Sequence, residues 1–293
     1  MSWEAKIDEI ANDNLSGSEI ITRKAADLIL NVLKNLSDPI GEDELLSLGK
    51  RLVETKPDMA PLKNMVNNLF LAYEQREDLI NWIKGFIKEG SQKVKMVTEK
   101  GVNLIKSGMT VMTHSASSTL SFTFITAFQK GIKFKLFITE SRPKQEGIAM
   151  AKKMASAGIP VTLITDCSIF ALMEKCNIFL VGADSVTLDG VINKAGTKGY
   201  ALFANYYKIP FYCLTTTSKI LPEALSQPFS IREEDPTEIL SPLPKGFHVL
   251  NFYFDITPLN WFSGIATEDG ILSKDDLRIY ISKQKISDLW EKR

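Results

Sequence analysis

Apolar residues in the first hundred positions recur at spacings of three and four, which is the pattern of amphipathic helices. One such run follows Ser18, a residue type that can cap a helix. Similar runs begin near Leu45, Pro61 and Asp78, each separated from the next by turn residues. The pattern predicts packed helices up to about residue 107.

The pattern changes at Gly108, after which short β-rich runs alternate with helix-like segments. The predicted strands are 109–113, 134–139, 161–165, 178–181 and 211–214, and the helix-like segments that separate them are 118–130, 147–157, 168–175 and 197–208. Such alternation predicts βαβ crossovers and a parallel, doubly wound sheet. We therefore expect a helical N-terminal domain over residues 1–107 and an α/β domain with a ligand cleft over residues 108–293.

The end of the chain predicts a loop, a strand and a helix. Residues 221–246 are rich in proline and include the charged run Arg232-Glu-Glu-Asp235, so we expect a long surface loop there. The largely apolar run 247–255 predicts a last strand. Thr257-Pro258 then opens a turn into a C-terminal helix.

Composition argues against several classes of function. The chain has 293 residues, and its 35 Lys and Arg balance 35 Asp and Glu, so bulk charge favours neither nucleic acid nor an anionic membrane. No apolar run approaches the ~20 residues of a membrane span, and the charged N-terminus does not look like a signal peptide. Three cysteines without a Cys-x-x-Cys pair predict neither a disulfide framework nor a zinc site. We expect a cytoplasmic protein without a metal or cofactor.

Polar side chains follow each predicted strand of the sheet. Ser115 follows the first strand, Arg142 and Glu146 the second, Asp166 the third and Asp184 the fourth, while a run of threonines follows the fifth. Ligands of open α/β sheets bind outside the carboxyl ends of the strands. Some of these groups must cap helices, but their convergence exceeds what capping needs and predicts a small-molecule cleft.

Asp184 ends the most apolar strand and is followed by Asn193, Lys194 and the Gly196-Thr197 pair. A glycine-flanked loop of amide, ammonium and hydroxyl donors suits an anion, most simply a phosphate. Arg142 adds a planar guanidinium that suits the same group. The alternative is that Asp184 caps the next helix and Lys194 is solvated.

Seven segments of the α/β region together resemble a known family. They are Glu140-Ser-Arg-Pro143, Asp166, Gly182-Ala-Asp184, Asn193-Lys-Ala-Gly-Thr197, Pro210-Phe-Tyr212, Glu233-Glu-Asp-Pro236 and the run from Asn251 to Pro258. In this order they resemble the alpha, beta and delta subunits of translation initiation factor 2B. Methylthioribose-1-phosphate isomerase and archaeal ribose-1,5-bisphosphate isomerase share the pattern. The resemblance covers about residues 108–270 and implies a helical domain on a Rossmann-like domain, assembled as dimers or hexamers.

The resemblance also implies what an isomerase of this family needs. These enzymes convert an aldose phosphate into a ketose phosphate with a Cys after the first sheet strand and an Asp as general acid, and that Asp corresponds to Asp184. The Cys position falls at or beside Ser115, and a hydroxyl ionises far less readily than a thiol. A phosphate-binding Arg-Gly-Ala corresponds to residues 15–18, which lack the Arg, and Glu146 replaces a Gln. These departures weigh against isomerase activity.

Two other groups offer alternative chemistry. Cys167 follows Asp166 and could supply a relocated thiol, although structural burial is the simpler interpretation. His114 precedes Ser115 and is the one nearby base in the sequence. Adjacent residues of an extended strand point to opposite faces, so we do not expect His114 to activate Ser115.

We therefore expect a regulatory subunit similar to those of initiation factor 2B, which binds a phosphorylated sugar or nucleotide without converting it. The alternative is an aldose–ketose isomerase, in which Asp184 is catalytic. The predicted ligand-binding residues are Ser115, Arg142, Glu146, Asp184, Asn193 and Lys194. The expected partners are further copies of the chain, joined through the C-terminal domain and its apolar run 247–254, and an initiation factor or related subunits.

Overall fold

The computed structural model describes residues 3–13, 17–226 and 231–291. Its first five elements are helices; α2 to α5 correspond to the four predicted runs, and α1 precedes the first of these. They are α1 (Trp3–Asn12), α2 (Ser18–Asn35), α3 (Glu42–Thr55), α4 (Ala60–Glu74) and α5 (Leu79–Leu104). The apolar faces of these helices meet in one core that includes the fully buried Ile21, Leu45 and Leu69.

The helix starts agree with the sequence at α5 and differ at α2. The α5 helix starts next to Asp78, as predicted, and the structure adds that the Asp78 carboxylate caps it by accepting hydrogen bonds from the backbone N–H groups of Ile80 and Asn81, at 3.0 and 3.1 Å. At α2 the capping position is Gly17, and Ser18 is the first helical residue. The predicted Ser18 cap is therefore wrong, because the chain enters the helix one residue earlier.

The remainder of the chain alternates strands with helices. The strands are β1 (Thr110–Thr113), β2 (Lys135–Thr139), β3 (Val161–Ile164), β4 (Ile178–Val181), β5 (Ser185–Val186), β6 (Val191–Lys194), β7 (Phe211–Leu214), β8 (Phe254–Thr257), β9 (Gly264–Thr267) and β10 (Gly270–Leu272). The helices are α6 (Ser118–Gln129), α7 (Glu146–Ser156), α8 (Ile169–Leu172), α9 (Thr197–Tyr206), α10 (Glu223–Ser226) and α11 (Lys274–Ser282).

Seven strands form one sheet in the order β10-β9-β7-β4-β1-β2-β3. All neighbours are parallel except the β9–β10 pair, which is antiparallel. Val111 of β1 packs into the core shared with α5, α6 and α7, whereas Met112 packs into the core shared with α9 and α11. The sheet is covered on both faces, so the predicted doubly wound α/β fold is confirmed.

A second sheet corrects two predictions. Strands β5, β6 and β8 form an antiparallel ribbon in which Asn193 pairs with Asp255 and Lys194 with Phe254. Asn193 and Lys194 therefore lie in a strand and not in a loop. The predicted last strand over residues 247–255 is wrong, because β8 begins at Phe254 and belongs to this ribbon.

The C-terminal segment returns to the helical region. After α11, the Trp290 ring lies 5.5 Å from the Phe70 ring, and its indole N–H donates to Asn67 Oδ1 at 2.9 Å. Leu289 is buried in the same core. The boundary at residue 107 stays a prediction, and the structure adds that the end of the chain packs on the first region. No helix in the described ranges combines the length and apolarity that crossing a bilayer requires.

Candidate functional site

The strand order of the large sheet reverses between β1 and β4, which defines its switch point. Ligands of doubly wound sheets bind in the crevice at this point. Ser115 follows β1 with a φ of +67°, a left-handed conformation unusual outside glycine. Asp184 follows β4, the strand that pairs directly with β1. The sheet topology thus brings two predicted site residues to one crevice.

Glu146 reaches the same crevice because α7 starts very close to β2. A Cβ at Gly147 would lie 1.8 Å from the Thr139 carbonyl oxygen, so the contact requires glycine. The preceding residue, Glu146, then faces the end of β1. The Ser115 hydroxyl donates a hydrogen bond to Glu146 Oε1 at 3.0 Å. The close helix–strand contact is therefore what gives Ser115 a carboxylate neighbour.

Lys194 comes from the small ribbon and points to the same carboxylate. Its Nζ lies 2.9 Å from Glu146 Oε1 and 5.0 Å from the centre of the Tyr253 ring. The residue is only 4% exposed. A buried ammonium needs a partner, and here a carboxylate and an aromatic face supply it.

The two oxygens of Glu146 differ in their surroundings. Oε1 accepts a hydrogen bond from the Ser115 hydroxyl and forms an ion pair with the Lys194 ammonium. Oε2 is buried without a hydrogen-bond partner in the described part of the chain. An unpaired buried acceptor typically costs about 1–3 kcal/mol. The position of Glu146 therefore depends on the contacts of Oε1.

Asp184 is partly reached by solvent but surrounded by protein atoms. Loss of hydration raises the pKa of its carboxyl, Lys219 and Lys194 oppose that shift, and Glu146 adds to it. Lys219 donates to the Ala183 carbonyl at 2.6 Å. Lys219 is not among the residues predicted from the sequence, although it directly follows the threonine-rich run after the fifth predicted strand.

Two predicted residues lie apart from this cluster. The Asn193 amide donates to the Thr197 hydroxyl at 3.0 Å and so fixes the turn between β6 and α9. Arg142 is exposed, and its Nη2 lies 3.5 Å from the Ile239 carbonyl of the long loop. The structure thus brings Ser115, Glu146 and Lys194 into direct contact beside Asp184. The ligand-binding roles of all six residues stay predictions.

The ring of His114 bonds to groups other than Ser115, as expected, but strand alternation is not the reason, because β1 ends at Thr113 and Ser115 has a left-handed backbone. Its Nδ1 lies 2.5 Å from the Thr139 hydroxyl and its Nε2 3.0 Å from the Ala195 carbonyl. A carbonyl only accepts, so the neutral ring carries its proton on Nε2. Burial is the main cause that lowers the pKa of His114 from 6.5 to about 4. His114 is a structural residue beneath the site.

The cysteines separate into one exposed and two buried thiols. Cys167 is exposed, which makes the expectation of structural burial wrong, because its short helical turn lies at the surface. Cys176 and Cys213 are buried as expected, and burial raises the pKa of each thiol to about 12. Neither buried thiol is available as a nucleophile.

Only part of the segment that corresponds to a phosphate-binding Arg-Gly-Ala lies within the described residues. Leu15 and Ser16 lie outside the described residues, whereas Gly17 and Ser18 begin α2. The start of α2 meets the sheet, because the Thr216 hydroxyl donates to Glu19 at 2.8 Å. The helical region therefore approaches the carboxyl end of β7.

A cavity of about 920 Å³ lies between the helical region and the end of β7. Residues that line it include Glu19, Trp82, Lys93, Phe122 and Thr217. None of the six predicted site residues lines this cavity. We assign the candidate site to the switch point, because the paired charges and the carboxyl of raised pKa meet there.

A helical region on a doubly wound, mostly parallel sheet defines an α/β protein, and its carboxylate–lysine pair lies at the switch point of that sheet. The chain belongs to the Initiation factor 2 subunit family, whose model matches residues 14–274. The family resemblance inferred from the sequence is confirmed.

Some proteins similar to this chain are named as translation initiation factors and others as sugar-phosphate isomerases. An eIF-2B subunit 2-like translation initiation factor of Pyrococcus abyssi is 32% identical over 268 residues, covering 91% of this chain and 94% of its own. A ribose 1,5-bisphosphate isomerase of Thermococcus kodakarensis is 34% identical over 286 residues, covering 90% of this chain and 89% of its own. The crystal structure of the Pyrococcus horikoshii OT3 translation initiation factor eIF-2B aligns with a TM-score of 0.82 and 30% identity, covering 92% of this chain and 96% of the other. The family therefore includes both factor-like proteins and isomerases.

Proposed function

We propose that this chain is a regulatory subunit of the initiation factor 2B type, which binds a phosphorylated sugar or nucleotide at the switch point without converting it. The observation that carries the proposal is the double contact of Glu146 Oε1 with Ser115 and Lys194. The family resemblance implies a Cys thiol at or beside position 115 and a Gln amide at position 146. This chain has the Ser115 hydroxyl instead, hydrogen-bonded to the Glu146 carboxylate. The phosphate contacts proposed for the site are Lys194 and, at its rim, Arg142.

The chemistry of the site supports binding better than conversion. Aldose–ketose isomerisation moves hydrogen between adjacent carbons and needs an assisting group on each side. Asp184 has the raised pKa of a general acid. Ser115 is a weak counterpart, because its hydroxyl is far less acidic than a thiol and its bonded carboxylate is already neutralised by Lys194.

The second candidate is an isomerase, and one observation favours it. The Ser115–Glu146 contact gives the hydroxyl a base that the sequence does not indicate. Together with Asp184 it makes a possible acid–base pair across the crevice. The isomerase named among the similar proteins supports the same candidate. An activity assay separates the two, because only the isomerase forms ketose product.

We also propose assembly with further copies or with related subunits in the cytoplasm. Exposed apolar side chains concentrate in residues 231–252, between α10 and β8, namely Ile231, Ile239, Leu240, Leu243, Phe247, Leu250 and Phe252. Contiguous exposed apolar surface is typical of protein interfaces. A homodimer or hexamer built through this surface, and contact with an initiation factor, follow as proposals from the family resemblance.

Ligand binding is tested by thermal-shift screening of sugar phosphates and nucleoside monophosphates, followed by calorimetry on each hit. The proposal predicts saturable binding to the wild type and its loss in a Lys194→Met variant. The methionine keeps much of the side-chain volume and removes the charge. Binding that is unchanged in Lys194→Met would place the ligand elsewhere.

A further inference from the structure

The ion pair between Lys194 and Glu146 joins two side chains that differ in solvent exposure. The Lys194 side chain is 5% exposed, whereas the Glu146 side chain is 28% exposed. Lys194 is fixed in the ribbon, with the Tyr253 ring against its ammonium. Glu146 is the first residue of α7 and retains access to solvent. A movement that breaks this pair therefore moves Glu146 and leaves Lys194 in place.

The two carboxylate oxygens of Glu146 contribute opposite terms to the stability of its position: the contacts of Oε1 are favourable and the burial of Oε2 is unfavourable. Oε1 gains two charge-assisted or polar contacts, to Lys194 at 2.9 Å and to Ser115 at 3.0 Å. Oε2 loses water without gaining a donor among the described residues. A group that replaces Oε1 at Lys194 and Ser115 would release Oε2 to solvent and so recover part of that cost.

We infer that Glu146 is an internal anion that competes with the ligand's phosphate for Lys194 and thereby sets the affinity and charge selectivity of the site. The inference rests on the proposed function, since it takes Lys194 as the phosphate contact. A phosphate oxygen occupies the place of Oε1, accepts from the Lys194 ammonium and the Ser115 hydroxyl, and Glu146 turns toward solvent. No covalent bond changes in this exchange.

The exchange selects for ligand charge. A phosphate monoester brings roughly −1.5 to −2 charge and three strong acceptor oxygens, more than the single carboxylate that it displaces. A neutral polyol offers Lys194 no anion and leaves Glu146 in place. The site therefore accepts phosphorylated ligands at reduced affinity and rejects their dephosphorylated forms, a form of specificity by built-in competition.

The test measures binding of D-ribose 5-phosphate by calorimetry to the wild type and to Glu146→Gln, Glu146→Asp, Lys194→Met and the Glu146→Gln/Lys194→Met double variant. We expect Glu146→Gln to bind about ten- to a hundredfold more tightly, because a like charge is removed from the phosphate position. Glu146→Asp keeps the negative charge on a shorter side chain and should bind less tightly than Glu146→Gln. Both variants that lack Lys194 should lose binding.

A matched control removes the same charge from a neighbouring element. Glu140 lies at the end of β2, and Glu140→Gln leaves the Lys194–Glu146 pair in place, so its affinity should equal that of the wild type. Thermal melting of every variant checks the fold. D-ribose serves as the uncharged probe and should not bind the wild type or Glu146→Gln.

The outcomes separate the inference from the proposed function. If wild type and Glu146→Gln bind ribose 5-phosphate equally and Lys194→Met does not bind, the proposed phosphate site stands and the competition by Glu146 is refuted. If only Glu146→Gln binds, the competition is supported and the wild type is not a ribose 5-phosphate binder. If neither binds, freeing Lys194 creates no affinity for a sugar phosphate and the competition by Glu146 is refuted, while the proposed function is decided by the wider screen of sugar phosphates and nucleotides.

Discussion

The Ser115 hydroxyl donates to Glu146 Oε1 across 3.0 Å, so the group at the end of β1 faces a carboxylate. In the sequence, His114 is the one neighbouring base, yet both ring nitrogens of His114 are used on Thr139 and Ala195. The charge environment of position 115 is therefore set by Glu146, which lies 31 residues away in the chain.

This relationship predicts how a thiol at position 115 would behave. In Ser115→Cys, the adjacent carboxylate disfavours the thiolate, so the thiol pKa should stay at or above the ordinary value of ~8.5. Adding Glu146→Gln leaves Lys194 unpaired beside the thiol and should lower its pKa by about one unit or more. The measurement is the rate of alkylation by iodoacetamide against pH, in a Cys167→Ser background that removes the exposed native thiol. Equal pKa values in the two variants would contradict the assigned geometry.

The two predicted phosphate contacts should contribute unequally. Loss of a charge-assisted contact costs about 1.5–3 kcal/mol, and the buried Lys194 should reach the upper part of that range. Arg142 is exposed at the rim and should contribute less when replaced by alanine. The combined Lys194→Met/Arg142→Ala variant should show no binding of ribose 5-phosphate in calorimetry. Lys198→Ala, which removes an exposed lysine at the start of α9, is the control and should bind like the wild type.

Acid should destabilise the fold through His114. Burial holds its pKa near 4, below the value of 6.5 in the unfolded chain, even though Asp166 and Glu146 favour the charged ring and Lys194 opposes it. The unfolded chain therefore binds more protons between pH 4 and 6.5, and the free energy of unfolding falls as pH falls through that window. Above pH 6.5 the free energy of unfolding is higher, by roughly 3 kcal/mol, than it is below pH 4, because His114 is then neutral in both the folded and the unfolded chain.

The measurement for His114 is urea unfolding of the wild type and His114→Gln across pH 4 to 7.5. The variant should show a smaller loss of stability between pH 6.5 and 4, because glutamine does not titrate. Parallel pH profiles for the two proteins would mean that His114 is not buried as a neutral ring.

The exposed apolar side chains of residues 231–252 predict the state of assembly. Phe247 and Leu250 are 56% and 66% exposed, and obligate interfaces bury such side chains over roughly 2,000 Å² or more. We expect a dimer or larger oligomer by light scattering, and the Phe247→Glu/Leu250→Glu variant should dissociate to 32.8 kDa. Ile279→Glu, on the exposed side of α11, is the control for an added charge elsewhere. A monomeric wild type at micromolar concentration would refute the proposed interface.

Periodicity alone predicts the helices of the first region and the alternation of the second, because both depend on which residues are buried. The ribbon of β5, β6 and β8 is missed because Asn193 and Lys194 are polar residues in a four-residue strand. Strands β9 and β10 are missed because each is short and begins with glycine. Short strands acquire their stability from neighbours that a local pattern does not contain.

The candidate site also has features that the sequence predicts and features that it does not. Strand ends predict that Ser115 and Asp184 share a crevice, because parallel strands expose their carboxyl ends on one edge. The contacts of Glu146 with Ser115 and Lys194 depend on the approach of α7 to β2 and on the register of the ribbon. Both are tertiary features without a local signal. The return of Trp290 to the helical core is of the same kind.

The proposed function requires that the site binds a phosphorylated ligand without converting it. The most direct measurement follows purified wild type by proton NMR with ribose 1,5-bisphosphate and with methylthioribose 1-phosphate, while calorimetry records binding of sugar phosphates and nucleotides. We predict saturable binding of a phosphorylated ligand and no ketose above the uncatalysed background. Ketose formation that disappears in Asp184→Asn or in Cys167→Ser would contradict the account and identify an isomerase.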